Sequence, residues 1–179
     1  LGQQQQVDSL LQLLDTRYKN EDSARVNALA RTSELLLRID PERSLELSRE
    51  ALRLSILTSY QDQISLIYNN IGTANRLRGE YGKALTFHNK ALENDRKLRK
   101  RKAEALSLNN IGNVYLKQGK YQDAIQNYER SLEVRQDIDD RVGVASSLNN
   151  LGLVYRNQGD LNRALVYYQN ALRMFEQIN

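Results

Sequence analysis

Gly72, Gly112 and Gly152 stand forty residues apart, and Gly79, Gly119 and Gly159 repeat that step seven residues further on. A chain that copies itself at a fixed period does not fold around one irregular core. Each copy is a small unit that buries its apolar face on its neighbour. The blocks Asn69-Asn70-Ile71-Gly72, Asn109-Asn110-Ile111-Gly112 and Asn149-Asn150-Leu151-Gly152 align without a gap. So do the columns Ala84/Ala124/Ala164, His88/Tyr128/Tyr168 and Leu92/Leu132/Leu172.

Each unit reads as two helices. From Ala105 to Gln118 the apolar residues Leu108, Ile111, Val114 and Tyr115 recur at helical spacing. Gly119 ends that helix in the manner of a glycine just beyond a C-terminus. A second helix over 121–137 carries Ala124, Ile125, Tyr128 and Leu132 on one face. Turns this short make the two antiparallel. A single proline and abundant Leu, Ala, Gln, Arg and Glu agree with an all-α chain. Glycine inside a helix costs about 1 kcal/mol against alanine. The mid-helix column Gly72/Gly112/Gly152 therefore predicts a close approach, by the large side chain at Tyr128 or Tyr168 from the second helix.

The pattern Leu108-x-x-Ile111-Gly112-x-x-Tyr115 followed by Ala124-x-x-x-Tyr128 resembles the tetratricopeptide repeat, with Leu in place of the usual Trp. The resemblance is strong over 65–179. Over 25–64 it holds only in the second half, where Pro41-Glu42-Arg43-Ser44-Leu45 and Ala51-Leu52 fall into register. An ungapped alignment would place Arg31 in the core there, and a slide of two residues puts Leu29 and Ala30 in its stead. The resemblance implies an all-α, right-handed superhelical array of antiparallel hairpins, with about nine helices. Its second helices are expected near 41–57, 81–98, 121–137 and 161–176. The expected division is a tail and capping helix over 1–24, a degenerate unit over 25–64, and further units over 65–104, 105–144 and 145–179, the last truncated. The capping helix itself is expected over 8–19, with Val7, Leu10, Leu11, Leu13 and Leu14 on its apolar side. The period of forty exceeds the family's usual thirty-four, which predicts a longer second helix and following turn. Extended repeats of this kind resemble those of kinesin light chains and of the sensor regions of bacterial histidine kinases and nucleotide cyclases.

The asparagine pairs are the most informative feature for function. Asparagine is a mediocre helix former, and at about 100° per residue Asn109 and Asn110 fall off the Leu108–Ile111–Tyr115 stripe. In the family, that polar side lines the concave groove. An amide offers both donor and acceptor, which suits the backbone of an extended peptide. Helices 8–10 Å apart match about three residues of extended chain at ~3.3 Å each. We therefore expect Asn70, Asn110 and Asn150 to bind a peptide, supported by Asn69, Asn109, Asn113 and Asn149. The alternative is that these amides bond to adjacent repeats or ordered water. From residue 65 to 78, 105 to 118 and 145 to 158 there is no acidic residue, and Arg76, Lys117 and Arg156 add positive charge. Such a groove suits a neutral or acidic ligand. The carboxylate-clamp columns of chaperone adaptors hold Leu106, Asn109 and Ser146, so that use is not expected.

Catalysis finds no support. His88 is the only histidine and sits in the packing column of Tyr128 and Tyr168. Asp137, Asp139 and Asp140 lack the glycine of a calcium loop. Neither a metal nor a cofactor is expected. The cationic run Arg96, Lys97, Arg99, Lys100, Arg101 and Lys102 reads as a solvated face diluted by Glu93, Asp95 and Glu104. A net charge of +4 permits an acidic partner, but scarce groove cations disfavour nucleic acid. No apolar run approaches the ~20 residues that a membrane helix needs, so no membrane contact is expected of this segment.

The leading expectation is a protein- or peptide-binding scaffold, the sensory or interaction region of a larger bacterial signalling protein. Self-association through the C-terminal hairpin is the alternative, and a nucleic-acid-binding helical array the third. The start at Leu1 and the end inside a repeat suggest a piece of a longer chain. The polar opening 1–6 reads either as the stub left by signal-peptide removal or as an arbitrary boundary. The first reading tips the compartment towards the extracytoplasmic side.

Overall fold

A computed structural model describes residues 2–16 and 22–177. Among them lie nine helices and no strand: α1 (Gly2–Thr16), α2 (Ser23–Leu36), α3 (Pro41–Leu57), α4 (Ile64–Leu77), α5 (Tyr81–Lys97), α6 (Arg101–Lys117), α7 (Tyr121–Asp137), α8 (Arg141–Asn157) and α9 (Leu161–Glu176). The expected second helices are all present, and α3, α7 and α9 have the expected bounds. The capping helix starts earlier than expected, and residues 17–19 of its expected span lie outside the described residues.

The chain divides into two compact units, Leu1–Asn94 and Asp95–Asn179. In the first, Val7 and Leu14 of α1 join Leu29, Leu45, Leu54, Ile67 and Ile71 in one buried cluster. In the second, Ala124, Ile125 and Tyr128 of α7 pack with Leu151, Val154 and Tyr155 of α8.

Local chemistry sets the helix ends. Asp22, Asp40, Asp140 and Asp160 each precede a helix and accept a hydrogen bond from the backbone N–H three residues on, satisfying a donor that has no partner inside the helix. Pro41 follows Asp40 at the first helical position, where its missing N–H costs nothing. At the end of α6, Gly119 has φ +72°. Its N–H donates to Leu116 O at 3.1 Å, and Lys120 N–H donates to Tyr115 O at 3.0 Å. This Schellman closure needs a left-handed residue. The turns after α3, α5 and α7 place Ser59, Arg99 and Asp139 in the same left-handed region, at φ of 53–55°.

The period of forty is distributed differently from the expectation. Helices α6 and α8 start at Arg101 and Arg141, four residues before the expected 105 and 145, so that α6, α7 and α8 are each seventeen residues long. The added length therefore lies in the first helix as well as the second. It brings the buried Glu104 into α6, where Arg96 Nε at 2.9 Å and Arg101 Nη1 at 2.8 Å bind its carboxylate. In α2, Leu29 and Ala30 are buried and Arg31 is exposed, the register obtained by sliding two residues.

Candidate ligand-binding face

The glycine column works as a contact that excludes a Cβ. A Cβ built on Gly112 would lie 2.7 Å from Tyr128 Cε1, and one on Gly152 would lie 2.8 Å from Tyr168 Cδ1. On Gly72 it would lie 2.7 Å from His88 Cε1. Three first helices thus cross their second helices at one depth, which fixes which way their remaining faces point.

On those faces the asparagines divide. Asn69 and Asn70 are buried. Asn70 Nδ2 donates to Ala30 O at 2.9 Å and to Ser33 Oγ at 2.8 Å, tying α4 to α2. Asn69 Oδ1 lies 2.8 Å from Nδ1 of the fully buried His88. Both residues serve the interior, which corrects the expectation that they meet a ligand. A mid-helix amide falls off the apolar stripe yet still reaches the neighbouring first helix, and a helical wheel does not separate these cases. Asn113 is half-buried and its carbonyl accepts from Tyr128 OH at 2.7 Å, so this amide holds the packing ring.

In the second unit the amides lie nearer the surface. Asn109, Asn110 and Asn150 are half-buried and Asn149 is exposed. Asn150 Nδ2 donates to Asn109 Oδ1 at 2.7 Å, joining α8 to α6. That bond uses the carbonyl of Asn109 and one N–H of Asn150, and does not use the amino group of Asn109 or the carbonyl of Asn150. Lys117 and Arg156 are exposed near the C-terminal ends of the same two helices. Arg76 is half-buried on α4, and its charge helps to oppose protonation of His88.

The interior of the first unit holds the one strongly shifted histidine. Burial, aided by Arg76, pushes the pKa of His88 down to about 3, so the ring is neutral near pH 7, Nδ1–H donates to Asn69, and Nε2 is a buried acceptor without a partner. It is a packing residue, as its column implies. Among the described residues no group of three or more His, Cys, Asp or Glu could hold a metal ion, and no helix is long and apolar enough to cross a membrane. Two open depressions, 750 Å³ along Gln158–Arg163 and 490 Å³ around Lys102 and Ile138–Val142, are lined by none of the candidate asparagines.

The fold defines an all-α array of antiparallel hairpins. Residues 103–177 match the family model of the tetratricopeptide repeat. No curated protein matches the sequence. Among solved structures it is similar to BtubC (BKLC) from P. vanneervenii, at 23% identity and TM-score 0.76, over 96% of this chain and 71% of that one. A Rap protein complexed with Competence and Sporulation Factor is similar at 18% identity and TM-score 0.86, over 94% of this chain and 48% of its own. A Signal Transduction ATPase with Numerous Domains from Pyrococcus horikoshii, which carries a tetratricopeptide repeat sensor, is similar at 19% identity and TM-score 0.78. That match covers 94% of this chain and 26% of the other. At these identities the likeness is one of fold.

Proposed function

We propose that this chain is a protein-interaction module that holds an extended polypeptide against the first helices α6 and α8, as the interaction or sensory region of a larger signalling protein. The observation that carries the reading is the Asn150–Asn109 bridge. It presents one N–H donor and one carbonyl acceptor at a half-exposed position, the pair that a peptide unit requires. Asn110, Asn149, Lys117 and Arg156 flank it and favour a neutral or acidic segment. The Rap neighbour complexed with Competence and Sporulation Factor and the neighbour with a repeat sensor support the interaction and the sensory parts respectively.

The test begins with a displayed library of random peptides selected on the 179-residue chain, and anisotropy on a synthetic winner. Asn109→Ala with Asn150→Ala is expected to weaken that peptide about thirtyfold, from two hydrogen bonds at about 1 kcal/mol each. Unchanged affinity would remove α6 and α8 as the binding face. The sensory part is tested on the complete reading frame, where an output domain is expected in the same polypeptide.

A further inference from the structure

We propose that the cationic turn between α5 and α6 is a second interaction surface, and that it fits an acidic segment of a partner protein with an apolar residue between its carboxylates. The fold removes most of the acids expected to dilute this run. Asp95 is fully buried and accepts from the Ser107 hydroxyl at 2.8 Å. Glu104 is buried between Arg96 and Arg101. Glu93 alone stays exposed, one turn before Lys97 on α5. From residue 95 to 104 every exposed charge is therefore positive: Arg96, Lys97, Arg99, Lys100, Arg101 and Lys102. Arg101 also reaches Asp137 at 2.8 Å, while Lys97, Arg99 and Lys102 take no part in these ion pairs. Asp139 and Asp140 line the depression that Lys102 shares, and they bound the patch on that side.

The fold does not call for these cations. The turns after α3 and α7 also hold one left-handed residue, Ser59 and Asp139, as this turn holds Arg99. In place of Lys97, Arg99, Lys100 and Lys102, the first has Leu57, Ser59, Tyr60 and Asp62, and the second Asp137, Asp139, Asp140 and Val142. The helix field opposes the choice as well. Asp140 caps α8 with its side chain, whereas Lys100 stands at the same place on α6 without a side-chain cap bond. Arg101 and Lys102 follow it, at the end of a helix that disfavours positive charge. Residues that local rules oppose mark a surface with another use, and a crowd of like charges is relieved by an opposite one. Leu98, 46% exposed among the cations, adds one apolar contact. A membrane surface would need a whole apolar face. Single-stranded nucleic acid would need rings to stack on, and residues 95–104 include no aromatic. Carboxylates on either side of an apolar side chain suit a Leu98 flanked by Lys97 and Arg99, and arginine binds a carboxylate through two donors.

The experiment is fluorescence anisotropy on the 179-residue chain at low ionic strength, where exposed charges are least screened. The probe is a labelled peptide of repeated Glu-Leu-Glu, compared with Glu-Ser-Glu and Gln-Leu-Gln peptides of equal length. The first is expected to bind, the second a few-fold more weakly, and the third not at all. Lys97→Gln, Arg99→Gln and Lys102→Gln together should weaken the first about tenfold, as the loss of three exposed ion pairs allows. Arg49→Gln, Arg130→Gln and Arg173→Gln remove the same charge from exposed positions elsewhere, and should leave the affinity within about twofold of wild type. Circular dichroism should show both triple variants as helical as wild type, because all six side chains already face solvent. The proposal is overturned if the Glu-Leu-Glu peptide does not bind, if Glu-Ser-Glu binds equally well, or if the two triple variants weaken binding equally. Tighter binding of a thymidine oligonucleotide, or of phosphatidylserine vesicles, than of the peptide overturns it too.

Discussion

In the hairpin α6–α7 the close crossing is made by Gly112 beneath the ring of Tyr128. In α2–α3 the corresponding columns hold Ala30 and Ser48, both fully buried. One hairpin joins no side chain to a large one, and the other joins two small ones. What persists between them is the volume available at the crossing, and the residues change in concert to fill it. This is why the first hairpin looks degenerate by sequence while folding alike: Ala30 gains a Cβ where Tyr has shrunk to Ser. The crossing in α4–α5 is a third version, with Gly72 under His88, whose shorter ring bonds to Asn69 in place of the Tyr128–Asn113 contact.

The largest effect should come from breaking that concert. Gly112→Ala places a Cβ 2.7 Å from an aromatic carbon that is itself fully buried, and overpacking of this kind costs roughly 1–3 kcal/mol or more. Gly112→Leu should be worse. Tyr128→Ser alone opens a cavity worth about 3–5 kcal/mol. Made together, Gly112→Ala and Tyr128→Ser rebuild the chemistry of the first hairpin. In that background alanine should be neutral or gain up to about 1 kcal/mol in helix propensity. Urea unfolding of all four proteins gives the coupling, expected near 3 kcal/mol. Additive single and double variants would show that the two columns do not share one volume.

The second effect concerns the histidine version of the crossing. His88 titrates at about 3 in the folded chain and near 6.5 when unfolded. Below pH ~6.5 the unfolded chain takes up a proton that the folded chain refuses, so the stability contributed by the neutral ring is complete above that pH and lost as the pH falls towards 3. Between pH 6.5 and 5 the loss should be about 2 kcal/mol, at about 1.4 kcal/mol per unit. Comparing urea midpoints of wild type and His88→Tyr at pH 7 and 5 isolates this share, since the chain has one histidine. Equal pH dependence in the two proteins would mean that protonated His88 is accommodated in the fold.

The repeat was legible because glycine at a crossing and glycine at a helix end are demanded by sterics, and such demands recur at fixed spacing. Gly112, Gly119 and the Ala124–Tyr128 pair therefore located both helices of a unit before any coordinates. The start of α6 was not legible. Arg101 to Glu104 look like part of a charged run, and only the enclosure of Glu104 by Arg96 and Arg101 explains why those residues turn into helix. The fate of the asparagines was half legible. Their polarity and position off the apolar stripe are readable, whereas whether the neighbouring helix or solvent receives the amide depends on a carbonyl such as Ala30 O, forty residues away.

That division gives the smaller predictions. Asn70→Ala removes a donor shared by Ala30 O and Ser33 Oγ. Ala30 O keeps the Ser33 hydroxyl, while Ser33 Oγ loses this buried donor, and an abandoned buried acceptor costs roughly 1–3 kcal/mol. Asn150 stands in the same column eighty residues later, and its bond to Asn109 is half-buried. Water can replace the lost partner there, so Asn150→Ala should cost below about 1 kcal/mol. Asn149 is exposed, so Asn149→Ala should fall within about 0.5 kcal/mol of wild type. The ranking is the test, read from urea midpoints under one condition. If Asn150→Ala costs as much as Asn70→Ala, the amides of the second unit hold the fold as firmly as those of the first. A face that cannot release its amides has none to offer a peptide, and the binding reading of α6 and α8 would fall with it.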